Sequence, residues 1–167
     1  DVKVGNGSFN ATLEIAQNLA NSLVSVAKGA GLQCEAILTD MNQVLGRSAG
    51  HSLEVLECVE YLTSKKRDPQ LENITNELIS SVLIMTKNIS KSEALQKINI
   101  VLDNGLAAEK FEKMVHALGG PGSFLSTYEK ILSNPSYVKD ITLGRQGWIK
   151  EMKTRELGLI LIELGGG

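Results

Sequence analysis

The chain has 167 residues, 43% hydrophobic and 22% charged, a balance that supports a folded core and argues against disorder. Its formal charge of -2 argues against a nucleic-acid surface, which needs clustered Lys and Arg to displace counterions; the one basic run, Lys65, Lys66 and Arg67, reads as a solvated turn. No apolar run reaches the roughly 20 residues that span a bilayer. No signal segment opens the chain, so a cytoplasmic protein without membrane contact is expected.

Val2 and Val4 alternate around Lys3, which predicts a strand over Asp1 to Val4 that ends in the permissive loop Gly5-Asn6-Gly7-Ser8. That loop lacks the spacing of a dinucleotide or P-loop fingerprint and reads as a turn. From Asn10 or Thr12 to about Lys28, Leu13, Ala16, Leu19, Ala20, Leu23 and Ala27 recur at helical spacing, and Gly29 and Gly31 close the pattern. A second strand over Gln33 to Thr39 completes a βαβ unit. Its right-handed crossover makes the two strands parallel. The Gly5 to Phe9 and Asp40 to Gly50 loops should then leave one edge of the sheet, where they can flank a common ligand.

A helix is predicted over His51 to Leu62, packing Val55, Val59 and Leu62. Asp68 as N-cap with Pro69 at the first helical position opens the next, with Leu71, Ile74, Leu78, Val82 and Met85 on one face. Ser90 and Glu93 form a capping box before a third helix ending at Gly105, and Leu106 to Leu118 gives a fourth. After Pro121-Gly122, a short helix carries Phe124, Leu125 and Tyr128 as far as Pro135. Val138 to Leu143 and Trp148 to Met152 alternate about Gly144-Arg145-Gln146-Gly147, which predicts an antiparallel hairpin at the sheet edge. Thr154 then caps a last apolar helix, Leu157 to Leu164. The fold expected is α/β, a mixed sheet with flanking helices and a helical block inserted over about 51–132 in one unit of 1–167. Cys34 and Cys58 lack metal-clip spacing and read as buried hydrophobes; Met85 and Met114 read as core and His116 as structural.

Neither CxxC nor HExxH occurs, and no His stands beside a candidate nucleophile at readable spacing, so no self-sufficient active site is legible. Two stretches, DVKVGNGSF and LTDMNQVLGRSAGHSLEV, with VLDNGLAAEKFEKMV and TRELGLILIELGGG behind them, give the whole chain a resemblance to the pyrimidine nucleoside phosphorylases, the thymidine phosphorylases in particular. The match is to an internal part of a longer family member. A chain beginning at Asp1 and closing on three glycines also reads as cut at both ends, so a fragment is expected. The resemblance implies phosphorolysis of thymidine to thymine and 2-deoxyribose 1-phosphate. It implies no required organic cofactor, and a homodimer for the complete protein. The family's phosphate loop and main base-gripping residues lie upstream of the matched stretch.

For residues of this chain, the resemblance implies that Phe9 packs on the pyrimidine. It makes Leu45, Ser48 and Glu57 a potassium site of two backbone carbonyls and a carboxylate, and Asp40 a catalytic acid, as in the related archaeal nucleotide phosphorylases. The residues by themselves leave simpler roles open: Phe9 as a staple for the first helix, Glu57 as a first-turn carboxylate, Asp40 as a loop cap and Arg47 as a surface charge. The runner-up function is a non-catalytic scaffold or interaction domain. An anthranilate-type phosphoribosyltransferase is a more distant resemblance.

Overall fold

The computed structural model describes residues 1–63, 67–132 and 135–166. Lys65 and Lys66 of the basic run and Gly167 of the closing glycines lie outside the described residues. β1 (Val2–Val4) and β2 (Leu38–Asp40) pair in parallel, with Val2 opposite Leu38, Lys3 opposite Thr39 and Val4 opposite Asp40. Between them runs α1 (Leu13–Gly29), capped by Thr12, whose side chain accepts from the Ile15 amide. Ala16 and Ala20 meet Val2 in a small buried cluster with Val4, Ala36 and Leu38 around it. Two alanines one helical turn apart let α1 approach the sheet closely, and the βαβ geometry expected from the sequence follows.

Five helices come next: α2 (His51–Thr63), α3 (Pro69–Lys87), α4 (Lys91–Asp103), α5 (Leu106–Ala117) and α6 (Phe124–Ile131). Asp68 accepts from the amides of Gln70 and Leu71 at the start of α3. Ser90 and Glu93 exchange the bonds of a capping box at the start of α4. Tyr61, Ile98 and Leu102 form the second core, against which Leu62, Leu71, Leu83 and Leu95 pack. Phe111 with Phe124, and Phe124 with Tyr128, form tilted aromatic pairs with ring centroids 6.1 and 6.4 Å apart. Arg67, the described member of the basic run, lies over the Tyr61 ring at 5.6 Å and bonds the Tyr61 carbonyl, so it is packed rather than solvated.

The α/β architecture with its helical stretch is as expected, and the sheet differs in extent. Among the described residues it has two strands, and the antiparallel hairpin over Val138 to Met152 does not form. Val138, Ile141, Leu143, Ile149 and a 99% exposed Trp148 lie in irregular chain with no sheet face to cover them. Alternation specifies a strand only where one face is buried, and an isolated hairpin is marginal in water. The last helix, α7 (Thr154–Glu163), starts earlier than expected: Thr154 is its first residue, not its cap. Cys58 and Met114 are exposed, and Cys34 and Met85 half-buried, against the core positions expected for all four. Cys34 lies in irregular chain ahead of β2, which begins only at Leu38 where a strand from Gln33 was expected. His116 is exposed, its Nδ1 3.2 Å from the Gly120 carbonyl, a local structural contact.

Candidate functional site

Because β1 and β2 are parallel, the loops that follow them leave the same edge and touch. The Gly7 amide donates to the Met41 carbonyl at 3.0 Å, and the Asn6 amide donates to Asn42 Oδ1 at 3.0 Å. Gly5 makes this approach feasible. Its φ is +125, a region L side chains rarely adopt, and a Cβ there would lie 2.8 Å from the Asn42 side chain. The two loops, the first turns of α2 and the inner side of α7 enclose a mainly apolar cleft of about 680 Å³, lined by Phe9, Asp40, Leu45, Ser48, Glu57 and Thr154 among others. All five residues singled out from the sequence, Phe9, Asp40, Leu45, Ser48 and Glu57, therefore border one cavity.

Phe9 is 99% exposed. Ser8 Oγ and Asn10 Nδ2 on either side both donate to the Lys3 carbonyl, at 2.8 and 2.9 Å, so both neighbours turn inward and the ring is pushed out. It does not staple α1, and its open face stands at the rim of the cleft. Asp40 closes β2 and accepts from the Asn42 amide at 3.0 Å and from Asn42 Nδ2 at 2.7 Å, both on Oδ1. This is the loop-capping role that an Asp at a strand end takes readily. Oδ2 is left for other partners.

Glu57 folds back over the Leu45–Ser48 turn. Its Oε1 accepts from the Arg47 amide at 2.9 Å, and its Oε2 accepts from the Ser48 amide at 3.2 Å and from Ser48 Oγ. The carboxylate thus meets amides and a hydroxyl, where the resemblance implies coordination beside carbonyls. The carbonyls of Leu45 and Ser48 accept no hydrogen bond among the described residues. A carboxylate offers about four acceptor positions, so three donors leave room on Glu57. Two unbonded carbonyls and one carboxylate are oxygen donors of the kind a hard monovalent cation accepts, and in chemical type the set fits.

Arg47 reaches away from the cleft, its Nε donating to Asp68 Oδ2 at 3.0 Å. That guanidinium first, then the Leu71 and Gln70 amides, holds the Asp68 carboxyl below the ordinary carboxylate range. Cys58 borders the cleft beside Glu54 and Glu57, and desolvation first, then these two negative charges, pushes its thiol up. Two residues with structural roles here went unmarked in the sequence: Asn6 and Asn42. The signal for both was present, since Asn in Gly-rich loops commonly bonds nearby backbone.

No family model matches the chain. Compared with curated proteins, it is 47% identical over 169 aligned residues to the thymidine phosphorylase of Colwellia psychrerythraea. The chain is similar to a thymidine phosphorylase. The match takes in 100% of this chain and 38% of the relative, so the chain spans well under half the length of that thymidine phosphorylase. The strand, Gly-rich loop and helix segments that build the cleft all fall within the matched stretch. Among the described residues, no helix is long and apolar enough to cross a membrane.

Proposed function

We propose that this chain is part of a pyrimidine nucleoside phosphorylase that converts thymidine and phosphate into thymine and 2-deoxyribose 1-phosphate. The observation that carries the reading is the 47% identity along the entire chain to a thymidine phosphorylase. The cleft is compatible with it. A pyrimidine is a flat ring with polar edges, and Phe9 offers an aromatic face at the rim of a mainly apolar cavity. In such a reaction the sugar develops oxocarbenium character as the base departs, so the protein must hold a phosphate dianion on one side and receive the charge of the leaving base on the other. In this reading Asp40, whose Oδ1 accepts from Asn42 at the border of the cleft, acts on the base side. A potassium ion held by the Leu45 and Ser48 carbonyls with Glu57 would offset the carboxylate charge and stiffen the loop.

Among the described residues, the cleft has no cluster of cations to hold phosphate: Arg47 pairs with Asp68, Lys3 pairs with Asp1, and Arg155 stands at the border. The groups that bind phosphate and grip the base are assigned to polypeptide outside these 167 residues, along with the homodimer contacts. The complete enzyme would act in the cytoplasm. The test is ultraviolet detection of thymine release from thymidine and phosphate. The 167-residue chain alone is expected to release none, and the product of the complete reading frame is expected to turn over. A complete product without phosphorolysis, or one lacking a phosphate loop, would favour a non-catalytic scaffold. Robust turnover by the 167-residue chain, surviving repurification, would move the catalytic residues into this cleft.

A further inference from the structure

α7 is tied to the body at its ends and loosely packed between them. At its start, Asn6 Nδ2 donates to the Met152 carbonyl at 2.9 Å, and Asn6 Oδ1 accepts from the Arg155 amide at 3.4 Å. At its end, the Gly166 carbonyl accepts from the His51 amide at 2.8 Å, just after Gly165 at φ +78. Between these ties α7 has no fully buried residue, and Leu157, Leu161 and Ile162 border the cleft instead of a packed neighbour. The pairs of elements that pack closely on one another leave α7 out. Thr154 Oγ1, buried beside Gly7, has no hydrogen-bond partner.

We propose that α7 is a strap over the cleft, latched by Asn6 and hinged at Gly165-Gly166, which opens as a unit and closes on a flat, largely apolar ring. A helix with few buried contacts opens at a cost below that of global unfolding. The apolar side chains facing the cleft supply a reason to close when a ligand fills it, because filling removes their area from water. The latch is also connected to the base side of the site. Asn6 bonds Asn42 Oδ1 through its amide and, at 3.4 Å, through Nδ2, while Asn42 holds Asp40 Oδ1. Unlatching therefore loosens the hold on Asp40, and Asn42 is a positioning residue that links the two. The choice of a pyrimidine as the ring rests on the function proposed above; the strap does not.

Native-state amide hydrogen exchange of the 167-residue chain in graded urea tests the strap without any ligand. The amides of α7 are expected to exchange through a sub-global opening with a smaller urea dependence than those of α3 and α4. Asn6→Ala should speed α7 exchange about tenfold, the loss of roughly one net hydrogen bond, and leave α3 and α4 unchanged. Asn6→Asp, which keeps the acceptor for Arg155 and loses the donor to Met152, should fall between. Equal urea dependence for α7 and α3 in the unsubstituted chain overturns the proposal, as does an Asn6→Ala effect that is absent or uniform across the chain. If the variants do not fold, the urea dependence of the unsubstituted chain decides by itself. In the product of the complete reading frame, which supplies the groups that grip the base, saturating thymine should slow α7 exchange further. Sub-global opening with no slowing by thymine in that complete product would refute the base as occupant and leave the strap standing.

Discussion

Gly46→Ala separates the packing role of the Leu45–Ser48 turn from its chemistry. A Cβ at position 46 would lie 2.5 Å from both Glu57 oxygens and 2.7 Å from Cδ, so either the carboxylate leaves or the turn shifts. Leaving forfeits the bonds from the Arg47 amide, the Ser48 amide and Ser48 Oγ. Hydrogen bonds to a charged group are worth about 1.5–3 kcal/mol each. Glu57 is half-buried, and water replaces part of what is lost. The net cost expected is about 2–3 kcal/mol, read as a lower urea midpoint with an unchanged slope by far-ultraviolet circular dichroism. In a Glu57→Ala background the obstruction is gone. There Gly46→Ala should be neutral or stabilise by up to about 1 kcal/mol, through the reduced entropy of the unfolded chain. The double-mutant cycle should therefore return a coupling of about 2–4 kcal/mol. Equal destabilisation in both backgrounds would show that Gly46 is required for some reason other than Glu57.

Asp68 is held below the usual carboxylate range, so its contribution is complete above its unfolded pKa of about 4 and is lost as the pH falls through its lower folded value. Asp68→Asn should flatten the acid side of the stability profile in that window, measured by urea midpoints at stepped pH, and an unaltered profile would refute the cap. The raised Cys58 thiol should react with iodoacetamide only at more alkaline pH than a free thiol, despite its exposure, and removing the nearby charge by Glu54→Gln should shift the profile back. Exchanging choline for potassium chloride at fixed ionic strength should raise the urea midpoint, and Glu57→Gln should abolish the increment; no potassium effect in the parent chain would argue against an ion at Leu45, Ser48 and Glu57.

Elements whose signals are local and self-sufficient were legible in the sequence. Thr12, Asp68-Pro69 and the Ser90 and Glu93 pair each terminate a helix with bonds made inside one turn, and all three act as the residue types imply. The shared edge of the two loops was legible because chirality leaves a βαβ unit almost no alternative. Where the outcome depended on distant cover, reading failed. Alternation around Gly144 to Gly147 predicts a hairpin only if a sheet waits to receive it, and β2 ends at Asp40 without offering one. The exposure of Cys58 and Met114 depends likewise on which face of α2 and α5 the second core selects. That Phe9, Asp40 and Glu57 share a cavity could be anticipated from topology. That Glu57 meets amides, or that Asn6 ties β1's loop to α7, depends on backbone directions in irregular chain, which no periodicity encodes.

The Asn6 to Met152 contact joins positions 146 residues apart, whereas α3 packs on α4, α4 on α5 and α5 on α6, each pair adjacent in sequence. Contacts between successive segments form quickly, and those that must first close a long loop form slowly. The helices should therefore assemble early in folding, with the parallel strand pair following across its α1 crossover, and the cleft gaining its roof last. On the ribosome the order is the same for a stronger reason, since α7 leaves the exit tunnel after every other element it covers. A chain paused with α6 complete would carry formed helices and an unroofed pair of Gly-rich loops, its apolar cleft residues open to water and to chaperones.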